Sequence, residues 1–239
     1  MTATMQTEAS ALRVGGLTPL TTIDYPGELA AVVYCQGCPW RCRYCHNGHL
    51  LTADSDRPIP WDRVKSLLEH RRGLLDAVVF TGGEPSAQSA LDAAMAETRA
   101  LGYKIGLHTG GPYPERLRAL LPLVDWVGLD IKALPEDYPL VTGVPGSGER
   151  AWQSLRLLLD ASLASKITLE VRTTPMPGLD DHDYLNRLMR RLAAAGVGDY
   201  VLQQCLTPHA LDRDLPGARA VTGPDWAGQP FEHLHFRGF

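Results

Sequence analysis

The sequence has little net charge and no long apolar run, and each absence argues against a class of partner. Its 239 residues carry a formal net charge of −4, so nothing marks a nucleic-acid or anionic-membrane partner. No apolar stretch approaches the roughly 20 residues of a membrane span. Residues 1–10 have no basic segment followed by an apolar core, which argues against a secretory signal. We therefore expect a cytoplasmic protein that binds neither nucleic acid nor membrane.

Cysteine is scarce and unevenly placed. Four of the five cysteines fall between positions 35 and 45, and Cys205 stands alone. An odd total, with all but one of the cysteines packed into one short segment, is not typical of a disulfide framework, and in a reducing compartment such a cluster more often holds a metal. The segment is therefore the first candidate for a metal site.

Apolar runs alternate with amphipathic segments along the chain. The spacing predicts six strands, at 29–34, 75–80, 104–108, 126–131, 167–173 and 200–204. It predicts helices at 61–70, 86–101, 115–121, 150–161 and 181–194. Strands joined by helices in this way are parallel, with right-handed crossovers. Polar or special residues end nearly every strand, and a barrel gathers such ends at one mouth. We therefore predict an α/β fold, a partial (β/α)6 TIM-like barrel.

The remaining segments give the expected domain organisation. Residues 1–12 are small and polar, and we expect them to be flexible. We assign 13–206 to the barrel domain and 207–239 to a C-terminal extension packed on the barrel. Proline and glycine cluster at 135–148 and 207–230, which predicts loops and a tail there.

Cys38, Cys42 and Cys45 have the spacing C-x3-C-x2-C and follow the first predicted strand. Three thiolates can bind three irons of a 4Fe–4S cluster, which leaves the fourth iron open to an exogenous chelating ligand. The competing interpretation is zinc with Cys35 as a fourth ligand, but a three-residue spacer is short for a structural zinc site. Cys35 fits better as a small buried residue at the strand end.

The segment Thr81-Gly82-Gly83-Glu84-Pro85 ends the second predicted strand. Two glycines allow the backbone to approach a ligand closely and to adopt angles that other residues resist. A carboxylate at the edge of such a loop can accept a hydrogen bond from an ammonium group. Alone the segment would predict only a tight turn, but it follows the cysteines by one strand, and the two motifs reinforce each other.

Together these motifs, with Tyr44 before the last cysteine, resemble the radical S-adenosylmethionine (SAM) superfamily. The resemblance covers residues 13–206 and implies a partial (β/α)6 barrel with a 4Fe–4S cluster on the three cysteines. It implies that the Gly82-Gly83-Glu84 segment binds the SAM amino group. It also implies that the backbone at Tyr44 touches the adenine.

The same resemblance implies roles for residues at later strand ends. Asp130 and Lys132 would line the SAM pocket, Arg172 would lie near the ribose and carboxylate, and Gln203 would cap the pocket. Without the resemblance, an ion pair to a neighbouring strand explains Asp130 and Lys132 equally well. Arg172 could likewise pair with Glu170 or with another acid of the barrel.

Further segments resemble one subgroup, the anaerobic ribonucleoside-triphosphate reductase activating proteins among the glycyl-radical-enzyme activases. These segments include TTIDYPG at 21–27, CHN at 45–47 and YVLQQ at 200–204. The resemblance implies reductive cleavage of SAM to a 5′-deoxyadenosyl radical, which abstracts hydrogen from a glycine of a partner enzyme. It implies two partners: a glycyl radical enzyme, namely the anaerobic ribonucleoside-triphosphate reductase, and an electron donor such as flavodoxin or ferredoxin.

One departure from the subgroup concerns a cation, and two other functions stay open. Relatives commonly read Asp-Thr-Asn-Gly where this chain has His108-Thr-Gly-Gly, and a neutral imidazole is a poor ligand for a hard cation. We therefore do not expect a monovalent cation there. The alternatives are a radical SAM enzyme acting on a small molecule, such as a deazaguanine precursor, and a non-catalytic zinc-binding interaction module.

Overall fold

The computed structural model of the chain describes residues 8–164, 166–218 and 231–238. In these residues the strands are β1 (Val14–Thr21), β2 (Ala30–Cys35), β3 (Ala77–Gly82), β4 (Lys104–Thr109), β5 (Trp126–Asp130), β6 (Thr168–Thr173), β7 (Asp199–Gln203) and β8 (His233–Arg237). The α-helices are α1 (Trp61–His70), α2 (Leu91–Ala100), α3 (Pro114–Leu120), α4 (Tyr138–Thr142), α5 (Ser147–Leu163) and α6 (His182–Ala194). The strands follow one another in the sheet in chain order, from β1 to β8.

The chain divides into two compact units. The first contains the described residues up to Pro39, together with His49–Thr109 and Glu115–Val127. Within it β1 runs antiparallel to β2, whereas β2, β3 and β4 are parallel. Parallel strands are buried on both faces and therefore consist of near-continuous apolar runs, as β2 and β3 do. One core cluster of this unit contains Tyr25, Ala30, Val32, Ala77, Val79 and Trp126.

The second unit contains Trp40–Gly48, Gly110–Pro114 and the described residues from Gly128 onward. Within it β6, β7 and β8 are parallel. Helix α5 buries Trp152, Leu155 and Leu158, which recur at helical spacing on one face. Helix α6 begins where the Asp181 carboxylate accepts a hydrogen bond from the Tyr184 N–H at 2.8 Å, as an N-cap residue does.

The six predicted strands are all present, each within two residues of its predicted ends. β1 and β8 were not predicted. β1 contains Gly15, Gly16 and Pro19, which have low strand propensity, and it lies at the end of the strand order, where proline is tolerated. β8 lies in the segment predicted as a tail, and most of its side chains are exposed, so it shows no apolar signal.

Four of the predicted helices correspond to α1, α3, α5 and α6. The continuous helix predicted over 86–101 is wrong at its start, because a 3-10 turn (Pro85–Ala87) comes first and α2 begins at Leu91. Gln88 separates the two: its backbone is extended, and its side-chain amide donates to the carbonyl oxygens of Arg13 and Gln36. The prediction of loops over 135–148 is also wrong in part, since α4 lies there and ends at Gly143, whose φ is +72°.

Parts of the expected terminal segments are not described. Residues 1–7 of the expected flexible N-terminus lie outside the described residues, as do 219–230 and 239 of the expected extension. Ala9–Ala11 form a 3-10 turn. In the described part of the chain, no helix has the length and apolar character needed to cross a membrane.

Candidate functional site

The cysteine-rich segment begins in the first unit, where β2 ends at Cys35. This side chain is fully buried. Burial raises the pKa of the Cys35 thiol well above its usual value, and the charge of Glu84 raises it further. A buried thiol of this kind stays protonated and packs as a small apolar residue. The structure thus places Cys35 at the buried strand end where the sequence predicted it.

Gln36, which the sequence analysis did not single out, fixes the backbone that leads to Cys38. Its buried side-chain amide donates to three carbonyl oxygens of the segment 49–54, at 2.9 to 3.3 Å. The backbone N–H groups of Gly37 and Cys38 donate to carbonyl oxygens of the same segment, at 2.7 and 3.1 Å. These hydrogen bonds hold the backbone at Cys38 in place, and Cys38 itself is half-buried. The available sequence signal was a polar residue directly after a buried strand.

Cys42 and Cys45 belong to the second unit and lie in one turn, since the Cys45 N–H donates to the Cys42 carbonyl oxygen at 2.9 Å. The backbone N–H groups of Arg41 and Arg43 donate, each at 3.0 Å, to carbonyl oxygens in the last turn of α4. These carbonyls have no partner within their own helix, so the loop satisfies them. Burial raises the pKa of Cys42 to about 11, although the charge of Lys132 lowers it in part.

The donor set of this segment suits a thiolate-bound metal. None of the five cysteines is in a disulfide, and thiolates with the C-x3-C-x2-C spacing are ligands that bind iron–sulfur clusters and zinc. Within residues 8–164, 166–218 and 231–238, no three His, Cys, Asp or Glu side chains already stand in a metal-ligating arrangement. The chemistry of the donor residues therefore fits an iron–sulfur cluster or zinc.

Gly82 and Gly83 bring the end of β3 against the backbone that follows β2. The φ of Gly82 is +106°, and a Cβ there would lie 2.6 Å from the Cys35 nitrogen. A Cβ at Gly83 would lie 2.3 Å from the carbonyl oxygen of Gly37. The Gly83 N–H donates to the Cys35 carbonyl at 2.8 Å, so the two chains are hydrogen-bonded at this point. Only glycine lets the backbone come this close at both positions, and at Gly82 only glycine readily adopts the positive φ as well.

Glu84 is a buried carboxylate, with 2% of its surface exposed. Its Oε1 atom accepts hydrogen bonds from the Ser86 N–H, the Ser86 hydroxyl and the Thr109 hydroxyl, at 3.0, 2.5 and 2.8 Å. Hydrogen bonding of this kind is what allows a carboxylate to be buried. The segment is thus not the simple tight turn that its sequence alone would predict.

In the second unit, the predicted residues Asp130, Lys132 and Arg172 form one charged group. The Arg172 Nε donates to Asp130 Oδ1 at 2.9 Å, and the Lys132 Nζ lies 3.5 Å from Asp130 Oδ2. The Arg172 side chain is only 6% exposed, whereas that of Asp130 is 33% exposed, so the guanidinium is desolvated and the carboxylate keeps some contact with solvent. The ion pair that the sequence left open for Arg172 therefore involves Asp130. Glu170 instead accepts both of its hydrogen bonds from Arg237, at 3.1 and 3.2 Å.

Tyr44 and Cys42 lie close to the same lysine. The Lys132 Nζ is 5.5 Å from the centroid of the buried Tyr44 ring, within cation–π distance. Burial opposes the charge of Lys132, but Tyr44, Asp130 and Cys42 together raise its pKa well above the usual value. Lys132 is therefore a buried positive charge at the centre of this group. For Tyr44, burial disfavours the charged phenolate and so raises the pKa, which keeps the phenol neutral.

Gln203 and His108 occupy other strand ends. The Gln203 side-chain amide donates to the Thr174 hydroxyl at 3.5 Å, which is a long contact. The His108 imidazole Nε2 contacts the Asp24 carbonyl oxygen at 2.8 Å, and its ring packs against Trp126 with centroids 5.2 Å apart. His108 is thus involved in packing the 21–27 segment.

A family model, described as the Radical SAM superfamily, matches residues 32–190 of the chain. Among curated relatives, a protein of Methanocaldococcus jannaschii provisionally named glycyl-radical enzyme activating enzyme is 27% identical over 218 residues, which are 84% of this chain and 83% of that protein. The pyruvate formate-lyase-activating enzyme of Streptococcus mutans is 29% identical, over 68% of this chain and 64% of the relative. The 7-carboxy-7-deazaguanine synthase of Thermococcus kodakarensis is 27% identical, over 56% and 60%.

Solved structures show the same fold at low sequence identity. SuiB of Streptococcus suis, bound to S-adenosylmethionine, has a TM-score of 0.60 and 14% identity, and the match covers 87% of this chain and 49% of SuiB. QueE from Escherichia coli has a TM-score of 0.53 and 16% identity, and the match covers 83% of this chain and 85% of QueE. The predicted fold class, the α/β partial barrel of the radical SAM type, is thereby confirmed. With a family model matched over more than half of its length, including the cysteine spacing and the Gly-Gly-Glu segment, the chain belongs to the radical SAM superfamily.

Proposed function

We propose that this chain activates a glycyl radical enzyme, and that the partner is an anaerobic ribonucleoside-triphosphate reductase. The observation that carries the activase role is the likeness to the Methanocaldococcus jannaschii protein, which extends over most of both chains. The Streptococcus mutans enzyme is named for the same type of activity and matches over a shorter stretch. The reductase as partner is supported by the segments at 21–27, 45–47 and 200–204, which extend beyond the superfamily motifs.

In this proposal Cys38, Cys42 and Cys45 bind a 4Fe–4S cluster, and Cys35 does not. The support for the ligands is their spacing and free thiols, and the hydrogen bonds that brace the loop at both ends. Lys132 favours the thiolate of Cys42, which is the form that binds iron. When bound, the reduced cluster and SAM supply one-electron cleavage chemistry and a 5′-deoxyadenosyl radical for hydrogen abstraction.

The SAM site is proposed on two groups of residues. In the first unit, the glycines at 82 and 83 give a ligand access to the backbone, and Glu84 accepts hydrogen bonds from the SAM amino group. In the second unit, Lys132 and Arg172 supply positive charge for the SAM carboxylate and Asp130 holds both cations in place. The backbone at Tyr44 contacts the adenine, and Gln203 caps the pocket.

The proposed cofactor also limits where the protein works and what reduces it. Free thiols and an iron–sulfur cluster are maintained in a reducing compartment, so we place the protein in the cytoplasm. Since the chemistry needs one electron per SAM cleaved, an electron donor such as flavodoxin or ferredoxin is required.

The test is to mix the anaerobically reconstituted protein, SAM and dithionite with a candidate reductase and to record its electron paramagnetic resonance spectrum. The account predicts a glycyl radical doublet on the partner, and no signal with a partner whose radical-bearing glycine is replaced by alanine. This chain carrying Cys42→Ala is the matched control on the activase side. Release of 5′-deoxyadenosine without any radical on a reductase would exclude that partner.

A second candidate function is a radical SAM reaction on a small molecule, such as a deazaguanine precursor. The observation that favours it is the match to the Thermococcus kodakarensis synthase, at the same 27% identity but over only 56% of this chain. Stimulation of 5′-deoxyadenosine formation by a pterin substrate, and not by a glycyl radical enzyme, would favour this second function. A zinc-binding module would instead give zinc and no iron–sulfur absorbance after reconstitution.

A further inference from the structure

Residues 206–215 lie against the turn that contains Cys42 and Cys45. The Asp212 N–H donates to the Arg43 carbonyl oxygen at 2.8 Å, and the Arg43 Nε donates to Asp212 Oδ2 at 2.8 Å. Arg43 directly follows Cys42 and stands two residues before Cys45. Asp212 therefore contacts, through both its backbone and its side chain, a residue inside the proposed metal-binding spacing.

Asp212 is itself held in place. Its Oδ1 atom accepts a hydrogen bond from the Asp214 N–H at 2.9 Å, while its Oδ2 atom faces Arg43. On either side of it, Ala210 and Leu215 are buried and anchor the segment. The hydrogen bond from Arg43 lowers the pKa of the Asp212 carboxyl, so the group stays ionised at neutral pH. A charged carboxylate on an anchored backbone thus meets Arg43.

The backbone of Arg43 is held from two directions. Its N–H donates to the Val141 carbonyl oxygen at 3.0 Å, in the last turn of α4, and its carbonyl oxygen accepts from the Asp212 N–H. Both partners are distant from Arg43 in sequence. Backbone that is fixed before a ligand binds has less conformational freedom to lose when the ligand is bound.

We propose that Arg43 and Asp212 are positioning residues, which hold the turn of Cys42 and Cys45 so that the cluster stays bound. This inference rests on the proposed cluster ligands. It also gives a role to the segment that follows the last predicted strand of the barrel.

A second exposed ion pair provides a matched control. Arg99 Nη1 lies 2.6 Å from Asp125 Oδ2, and these side chains are 39% and 34% exposed, against 46% and 25% for Arg43 and Asp212. Asp125 likewise accepts a hydrogen bond from one backbone N–H, that of Ile105, at 2.7 Å. This pair belongs to the first compact unit, whereas the turn belongs to the second. Asp125→Ala is therefore the control for Asp212→Ala.

The test measures how fast the anaerobically reconstituted protein gives up its iron to an excess of bathophenanthroline disulfonate. We expect Asp212→Ala to lose iron about fivefold faster than the wild type, the upper end of what an exposed ion pair contributes. Asp125→Ala should lose iron at the wild-type rate. Urea midpoints of the cluster-free proteins should fall by similar small amounts in the two variants, because both lose an exposed ion pair.

Exchange of the two charges tests the contact itself. Arg43→Asp and Asp212→Arg each place like charges beside each other and should speed the loss of iron. The double variant restores an ion pair and should lose iron more slowly than either single variant. A double variant that loses iron as fast as the faster single variant would overturn the ion pair as the positioning contact.

The remaining outcomes separate this inference from the proposed function. A wild-type protein that takes up no iron–sulfur cluster would overturn the ligand assignment and the inference with it. Iron loss from Asp212→Ala at the wild-type rate would overturn the positioning role alone. Equal acceleration in Asp125→Ala would mean a general loosening of the fold and would also overturn that role.

A second variant covers the case in which Asp212→Ala does not fold. Asp212→Asn removes the charge, but its side-chain oxygen can still accept from the Asp214 N–H. It should show the same faster loss of iron, and a wild-type rate in this variant would contradict the proposal.

Discussion

Replacement of Gly82 by alanine should destabilise the protein much more than replacement of Gly102. Both glycines have positive φ, +106° and +97°, so a new side chain strains the backbone to a similar extent. Their surroundings differ. A Cβ at Gly82 would lie 2.6 and 2.7 Å from the backbone nitrogen and oxygen of Cys35, whereas a Cβ at Gly102 has nothing within 4 Å. The difference in stability between the two alanine variants therefore measures the steric cost of the close approach of β3 to β2.

The expected loss of stability in each variant is the sum of the cost of the positive φ and the cost of any steric overlap. A positive φ costs a non-glycine residue about 1–3 kcal/mol, and the lower entropy of the unfolded alanine chain offsets about 0.4–1 kcal/mol. We therefore expect about 1–2 kcal/mol for Gly102→Ala. Overpacking costs about 1–3 kcal/mol in general, and we expect about 2–3 kcal/mol at Gly82, because the obstacle there is hydrogen-bonded backbone that cannot rotate away. We expect about 3–5 kcal/mol for Gly82→Ala.

Urea unfolding of the cluster-free protein in reducing buffer, followed by tryptophan fluorescence, measures the difference. With an m-value of about 3 kcal/mol per M, Gly82→Ala should lower the midpoint by more than about 1 M and Gly102→Ala by about 0.5 M. Equal shifts for the two variants would refute the reasoning, because the backbone contact at Gly82 would then carry no cost.

Three further predictions concern Asp180, Arg172 and Cys35. Burial raises the pKa of Asp180 to about 7, so the folded protein keeps a proton that the unfolded chain releases near pH ~4. The proton stabilises the folded protein at low pH, and this stability is lost as the pH rises through about 7. In Asp180→Asn the urea midpoint should therefore fall less over this pH range than in the wild type. A pH profile of the urea midpoint that is the same in both proteins would refute the assignment. Arg172→Met should lower the free energy of unfolding by about 2–3 kcal/mol, since the partly buried Asp130 carboxylate then loses its 2.9 Å ion pair with Arg172. Arg172→Lys should not recover all of this loss, and a urea midpoint equal to that of the wild type would show that the pair adds no net stability. Cys35→Ala should leave the iron and sulfide content near the wild-type value, and loss of a full cluster would make Cys35 a ligand.

The parallel strands were predictable because each is a short apolar run followed by a polar or glycine residue. β2 and β3 are the clearest, since their first four residues are fully buried. β8 was not predictable, because its pairing with β7 is made through backbone hydrogen bonds that exposed side chains do not reveal. The break before α2 was equally hidden, since it depends on the hydrogen bonds of Gln88 to Arg13 and Gln36, which are distant in sequence.

For the candidate site, the sequence identified the residue types and left their partners open. Asp130, Lys132 and Arg172 were singled out from strand ends, and the structure joins them through one carboxylate. The hydroxyls on Glu84 were missed, because Thr109 is an ordinary residue until the register of β3 and β4 brings it beside the carboxylate. Contacts of this kind join residues that are distant in sequence, so the pattern of either strand by itself does not reveal them.

The most direct test of the central claim is the formation of 5′-deoxyadenosine from SAM by the anaerobically reconstituted, dithionite-reduced protein. The account predicts product from the wild type and from Cys35→Ala, each with about four irons per chain, and none from Cys42→Ala. Product from Cys42→Ala would contradict the ligand assignment. A wild-type protein that takes up zinc, shows no iron–sulfur absorbance and forms no 5′-deoxyadenosine would contradict the account as a whole.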